Sequence, residues 1–416
     1  MRIVRATETF SAELKDFMCA AVQRRRDDDG FGGSRGGGGA GGKSRNAMDL
    51  DSDAGNRLVC VTGGVSYLGR AIVKRLLVHG YSVRIVVDCP EDKEKVSEME
   101  ADAEMASFNN RITSVVSRLT EIESLMVVLA FSTPVRSWIP LESQDTRYVS
   151  FSYILPLDTV LCVTMEIRIL MILTIKVATW KYNPFSSLTF LQKSMAELEA
   201  KVSESVIEAC TRTASVRKCV FTSSLLACAL QNSSLNNLDH SVINEESWSD
   251  EQLCIDNKLW YALGKLKAEK AAWRIADSKG LKLATICPAL ITGPDFFNHN
   301  STSTLAYLKG AKEMYNHGIL ATMDVNKLAK AHVCLWEGLG NKTAFGRYIS
   351  FDTILSKDGA ENLAKDIGVQ VEKICGSSSD SDANADEEAS PSNLQISDKK
   401  LLDLMSRTLR SCYHES

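Results

Sequence analysis

Several features that would point to other kinds of protein are missing from this sequence. Its twelve cysteines include no Cys-x-x-Cys pair, and its six histidines show no metal-ligand spacing. Scattered thiols such as Cys60, Cys89, Cys219, Cys287 and Cys334 are therefore expected as buried, reduced side chains rather than disulfides or zinc ligands. Positive charge is not in excess. The net charge of -4 gives nucleic acid no electrostatic footprint. No internal repeat is evident. No apolar signal core is found near the start, and Glu8, Glu13 and Asp16 argue against an acid-poor transit peptide. The expected location is cytoplasmic, with no membrane partner.

What remains suits a globular enzyme-sized core. A chain of 416 residues that is 44% apolar fits one large domain or two coupled ones. Residues 1–55 are expected to be a disordered N-terminal tail. The run Arg24-Arg25-Arg26-Asp27-Asp28-Asp29 and the glycine-rich tract 30–42 cannot bury enough surface to order themselves.

The ordered pattern begins with Leu58-Val59-Cys60-Val61, a short β-rich run that ends in Thr62-Gly63-Gly64. Leu68, Ile72 and Leu76 then recur at helical spacing, and a second β-rich run, 82–87, closes on Asp88. Strand, glycine turn, helix and strand form the first half of a dinucleotide-binding unit. Gly63 allows the tight turn, and Gly69 lets helix and sheet approach closely. The segment Thr62, Gly63, Ser66, Tyr67, Leu68 and Gly69 would offer helix N-terminal amides to a pyrophosphate. Ser66 stands where a glycine is expected, and its Cβ crowds that approach. Asp88 follows Gly69 by nineteen residues, the place for a carboxylate that accepts hydrogen bonds from an adenosine ribose.

The spacing predicts a charged helix over 91–105, a third strand over 111–116 and a helix over 121–129. A fourth buried strand should follow, and 127–192 offers none cleanly. Three readings compete for its run 159–180, which is apolar apart from Glu166, Arg168 and Lys176. A membrane span would place three charges near its centre, each costing roughly 2.5–3.5 kcal/mol. A pair of sheet strands is the second reading, and an insertion such as a translated intron the third. Organisation resumes with a helix over 195–209 and a strand over 218–221 that ends at Thr222-Ser223-Ser224. Hydroxyls there would sit at the carboxyl edge of a parallel sheet, where open α/β folds bind ligands, although a serine pair also caps turns.

Leu259-Trp260-Tyr261-Ala262-Leu263-Gly264-Lys265 carries the chemistry. Tyr261 and Lys265 are four apart and share one helix face. An ammonium beside a phenol favours the phenolate and brings the phenol pKa down towards working pH. Such a phenol can pass a proton to a carbonyl oxygen as hydride reaches its carbon, or accept one in the reverse direction. Ser224 would hold the same oxygen, and Lys265 would also reach a nicotinamide ribose. The strand 283–287, followed by Pro288, would wall the nicotinamide.

In this order the residues resemble the extended short-chain dehydrogenase/reductases, specifically the plant cinnamoyl-CoA reductase and dihydroflavonol 4-reductase group. The resemblance covers about 56–126 and 193–412. It rests on Val61-Thr62-Gly63-Gly64, Phe221-Thr222-Ser223-Ser224, Trp260 to Lys265 with Ala268-Glu269-Lys270-Ala271-Ala272-Trp273 behind it, and Cys287-Pro288 through Gly293-Pro294. It implies an α/β fold, a doubly wound parallel sheet of Rossmann type, with a smaller C-terminal substrate domain. It also implies a Ser-Tyr-Lys mechanism on Ser224, Tyr261 and Lys265, with a small, phenylpropanoid-like substrate. Where the reductases of the group carry Asn-Trp-Tyr-Cys-Tyr-Gly-Lys, this chain keeps the catalytic pair and differs at the substrate-associated positions. The group's habit is NADP, with an arginine in the place of Asp88. A carboxylate repels the 2′-phosphate and leans the cofactor towards NAD, unless Arg84 or Lys93 reverses it.

The expected division is a cofactor-binding domain over 56–294 with 127–192 as an atypical insertion, a substrate domain over 295–374, an acidic loop over 375–396 and a final helix over 397–416. Within the substrate domain, helices are predicted over 303–316, 323–338 and 357–367 and a strand over 345–351. His332 is expected to be packed rather than catalytic. The alternative function is a nucleotide-binding or interaction protein that keeps the fold without catalysis. Oligomeric state is left open.

Overall fold

The computed structural model describes residues 58–89, 92–130, 159–162, 184–231, 242–294, 296, 304, 306–367, 369–375 and 394–412. Of the two units into which the chain divides, Met1–Asp53 and Ala54–Ser416, all of these lie in the second. The tail over 1–55, the acidic tract within 375–396, and 131–158 and 163–183 of the irregular middle fall outside the described residues, wholly or nearly so.

The elements are β1 (Leu58–Thr62), α1 (Tyr67–Val78), β2 (Ser82–Val87), α2 (Asp92–Ala101), β3 (Ile112–Val116) and α3 (Ile122–Ala130). Then come β4 (Thr159–Cys162), α4 (Pro184–Arg212), β5 (Lys218–Thr222), β6 (Val242–Ile243), α5 (Glu251–Asp256), α6 (Trp260–Lys279), β7 (Lys282–Pro288) and β8 (Leu290–Thr292). The last part holds α7 (Ala311–Asn316), β9 (Ala321–Asp324), α8 (Val325–Gly340), β10 (Gly346–Ser350), β11 (Thr353–Ile354), α9 (Lys357–Asp366), α10 (Glu372–Cys375), β12 (Gln395–Ile396) and α11 (Lys399–Cys412).

Seven strands form one sheet in the order β10-β7-β5-β4-β1-β2-β3, and every pairing in it is parallel. Side chains of its strands alternate between two buried clusters. Val59, Val61, Val83, Ile85 and Val220 face the side covered by α1 and α8, whereas Cys60, Val86, Cys219 and Phe221 face the side covered by α4 and α6. Helices on both faces explain why these strands are apolar throughout. The expected doubly wound sheet is the observed fold.

The fourth strand that 127–192 did not offer cleanly is present, and the sheet-strand reading of 159–180 holds for 159–162. Thr159–Cys162 lies between β1 and β5, with Val59 opposite Thr159 and Val160 opposite Cys219. Four residues paired on both sides are too few to display alternation, so the sequence alone left the strand reading open beside two others. The membrane reading also fails for those four residues, and among the described residues no helix is long and apolar enough to cross a membrane. Helix α4 begins at Pro184, well before the predicted 195, with proline at the first helical position where its missing N–H costs nothing.

Two further differences concern the C-terminal part. Met323, predicted to begin a helix, lies in β9, which pairs with β8 and β11 in a small three-stranded sheet. Asp324 then caps α8 by accepting the Asn326 and Lys327 amides at 2.9 and 3.0 Å. β10, expected in a separate substrate domain, pairs with β7 at the rim of the main sheet. The chain thus returns to that sheet after residue 295.

Candidate active site

The parallel sheet gathers the carboxyl ends of β1, β2, β5 and β7 on one edge, and the order of strands reverses between β1 and β4. This is the place where open α/β folds hold ligands.

At the end of β1 the backbone turns at Gly63, whose φ of 67° favours glycine. The Ser66 amide donates to Gly63 O at 3.0 Å, which closes the turn. Gly69 is fixed by close approach: a Cβ there would stand 2.1 Å from Gly63 O and 2.7 Å from Gly64 Cα. Ser66 caps α1, its Oγ accepting the Gly69 amide at 3.1 Å. The residue whose Cβ crowds the phosphate approach therefore also satisfies one of the helix's orphan donors. Leu68 is buried in the core, and Thr62 is buried at the strand end. The Tyr67 hydroxyl donates to Pro294 O at 2.8 Å, which ties the loop after β8 to this turn. The Tyr67 and Phe296 rings lie 6.3 Å apart.

Asp88 follows β2 and is exposed, and its Oδ1 accepts the Leu119 amide at 3.1 Å. Arg84, one of the two residues named as able to reverse the NAD preference, points away from the ribose end. It is buried within β2, and its guanidinium donates to Val128 O at 2.8 Å, on the side of α3. Lys93 is exposed in the first turn of α2.

Across the sheet, Ser224 follows β5 and is buried. Its Oγ accepts the Leu226 amide at 3.2 Å, capping a 3₁₀ turn, Leu225–Ala227, that packs on α6 and β7. The capping role and the expected place at the sheet edge coexist in one residue. Pro288 ends the adjacent β7, and the Ser223 amide donates to Ile286 O at 2.7 Å, so the two strand ends are bonded.

Tyr261 and Lys265 share one face of α6, with Nζ 5.3 Å from the phenol ring centroid. The Tyr261 ring meets Tyr307 edge-on at 6.4 Å. Burial, with the Tyr261 phenol next in effect, pushes the Tyr307 phenol above its usual range. Lys265 is buried, and its ammonium is ion-paired with Glu199 of α4. That partner was not foreseen. The helices come close because Gly264 faces Ala196, where a Cβ would sit 3.1 Å from Ala196 Cα.

Two more groups beneath the edge were not foreseen in the sequence. Glu269, fully buried on α6, accepts from Ser223 Oγ at 2.7 Å, Thr285 Oγ1 at 2.6 Å and Arg347 Nε at 2.8 Å. A carboxylate among Ala268, Ala271 and Ala272 on the inner face of a helix was the available signal. Arg347, between apolar neighbours in β10, is the counter-ion. His332 is buried as expected, its two nitrogens 2.8 Å from Thr222 Oγ1 and from Leu328 O. Only N–H can face a carbonyl, so Nδ1 donates to Leu328 and Nε2 accepts from Thr222. Burial brings this imidazole down to about 4, so it is neutral. Cys287, pushed up by burial and by its bond to Cys228, is a protonated thiol, in keeping with the expected inert cysteines. No group of three or more potential ligands for a metal ion occurs among the described residues.

The residues present suit a dinucleotide: the amino end of α1 could receive anionic phosphate, and Asp88 could accept ribose hydroxyls. Thr62, Gly63, Ser66, Tyr67, Leu68 and Gly69 form one turn, with Asp88 at the end of the next strand. Ser224, Pro288 and the Tyr261–Lys265 pair belong to adjoining elements on the other side of β1.

No family model matches the chain. The chain is 29% identical over 315 residues to cinnamoyl-CoA reductase 1 of Petunia hybrida, covering 74% of this chain and 77% of that protein. It is 26% identical over 313 residues to anthocyanidin reductase of Arabidopsis thaliana, covering 71% and 76%. The fold resembles vestitone reductase from alfalfa, with a TM-score of 0.50 at 19% identity over 86% of this chain and 98% of that one. It also resembles yeast methylglyoxal/isovaleraldehyde reductase complexed with NADPH, with a TM-score of 0.52 at 18% identity, covering 84% and 93%.

Proposed function

We propose, on the premise that this chain belongs to the extended short-chain dehydrogenases/reductases and is a nicotinamide-dependent oxidoreductase, that it interconverts a carbonyl and a CH–OH group on a small phenylpropanoid-like molecule. The observation that carries this reading is the Lys265 ammonium lying 5.3 Å from the Tyr261 ring, on the helix packed against the turn that Ser224 begins. The cinnamoyl-CoA and anthocyanidin reductases among its relatives support the substrate class.

When bound, the nicotinamide supplies or accepts the hydride. The chain's own residues manage the proton. Tyr261 gives its phenolic proton to the substrate oxygen as that oxygen gains electrons, and takes it back in the oxidative direction. Ser224 donates its hydroxyl hydrogen to the same oxygen, which its acceptor role towards the Leu226 amide leaves it able to do. Lys265 favours the phenolate through its charge and reaches the nicotinamide ribose. Glu199 fixes the position of that ammonium and offsets part of its field.

Asp88 makes the ribose end favour the free hydroxyls of NADH over the 2′-phosphate of NADPH, unlike the yeast reductase crystallised with NADPH. The test is fluorescence titration of both reduced cofactors, followed by turnover on a panel of aromatic aldehydes, ketones and thioesters. NADH should bind more tightly, and Asp88→Asn should improve NADPH about tenfold, the loss of one repulsive charge. Tight cofactor binding with no turnover on any panel member would instead support the non-catalytic alternative. Glu199, as the partner of Lys265, is the observation that favours it.

A further inference from the structure

The buried ion pair beneath Ser224 joins all the elements that carry the catalytic side. Glu269 and Arg347 are 0% and 7% exposed. Glu269 stands one helical turn beyond Lys265 on α6. Through its two oxygens it holds Ser223 at the end of β5, Thr285 in β7 and Arg347 in β10. Arg347 in turn donates to Glu245 O at 3.0 Å and to Ser247 O, and its Nη2 reaches Cys228 Sγ at 3.1 Å. Its guanidinium lies 3.5 Å from the centroid of the Trp248 ring. Ser249, next in that loop, donates to Leu226 O at 2.8 Å and accepts the Leu230 amide at 2.9 Å. The turn begun by Ser224 is thus gripped on both sides, by Glu269 through Ser223 and by Arg347 through Cys228 and the 245–249 loop.

A simple core-filling role would call for apolar side chains, which pack such a site without the desolvation cost of two charges. What the charged pair adds is direction. It links the helix that bears Tyr261 and Lys265 to the strand end that bears Ser224 through hydrogen bonds of defined geometry. We propose that Glu269 is a positioning residue for the reaction proposed above: with Arg347 it sets where the Ser224 hydroxyl lies relative to Tyr261. This rests on the oxidoreductase reading and extends it to residues that touch neither substrate nor cofactor.

The test removes both charges at once, Glu269→Leu with Arg347→Met, so that no lone charge is left buried. It is made in the wild-type background and in Ser224→Ala, using whichever panel substrate the wild type turns over best. In the wild-type background, kcat should fall by about 10- to 100-fold, the scale expected for misplacing one group by about an ångström. The dissociation constant of the reduced cofactor should stay within about twofold, since the glycine turn is untouched. In the Ser224→Ala background the same double change should lower kcat by less than about twofold, because a residue acting through Ser224 has nothing left to position. An equal loss in both backgrounds, or no loss in either, overturns the proposal and leaves the oxidoreductase reading intact. A wild type that turns over nothing overturns both. If thermal unfolding shows the double variant unfolded, Ser223→Ala replaces it. That change cuts only the bond from Ser223 to Glu269, and it should show the same dependence on background.

Discussion

The two halves of the sheet edge are held by different physics. On the cofactor side, the turn from β1 into α1 is fixed by backbone geometry: a positive φ at Gly63, no room for a Cβ at Gly69, and a serine cap. On the catalytic side, the strand ends are fixed by buried polar side chains: Thr222 on His332, Ser223 on Glu269, Glu269 on Arg347, and Lys265 on Glu199. The first half owes its shape to residues within a few positions of one another. The second owes it to pairs between 46 and 110 residues apart.

The contrast can be broken most strongly on the cofactor side. Gly69→Ala should destabilise the fold by at least about 3 kcal/mol, since the added carbon meets backbone that cannot swing away as a side chain would. Denaturant unfolding gives the number. A variant as stable as the wild type would show that the turn relaxes freely and is not held by close approach.

A smaller effect separates the catalytic side. His332 stays neutral in the folded state down to about pH 4 because burial disfavours its charge. The unfolded chain takes up a proton at this side chain below about pH 6.5. Stability that is complete above that pH is therefore lost as pH falls from about 6.5 towards 4, and the loss at pH 5 is about 2 kcal/mol. Replacing His332 by glutamine should shrink the fall in unfolding free energy between pH 7.5 and pH 5 by about that amount. An undiminished fall would remove His332 from the polar scaffold under Thr222.

The same contrast explains what could be read in advance. The glycine turn, Asp88 and the Tyr261–Lys265 spacing are local patterns, and a chain read from one end displays them. The parallel sheet was legible from the alternation of β-rich and helical runs, except at β4 and at β10, which was expected in a separate domain. Thr159-Val160-Leu161-Cys162 is four residues long, too short to display a period, so its place is known only from its pairing with β1 and β5. Between Arg84 and Lys93 the sequence could not choose a partner for a 2′-phosphate, because position near the end of β2 does not show that the Arg84 side chain bonds Val128 O beside α3. Glu269 lies within the run Ala268 to Trp273, but its partners come from the end of β5, from β7 and from β10. Nothing in Ala268-Glu269-Lys270 announces Arg347, seventy-eight positions later. Glu199 was hidden in the same way, sixty-six positions before Lys265 in another helix.

The proposed function depends on Tyr261 acting as the proton donor of a working oxidoreductase. The most direct test compares the wild type with Tyr261→Phe, which keeps the ring against Tyr307 and removes only the hydroxyl. The account predicts unchanged affinity for the reduced cofactor and a fall in kcat of about 10²- to 10⁴-fold, the scale of a positioned proton donor. Full turnover by Tyr261→Phe on the same substrate would contradict it.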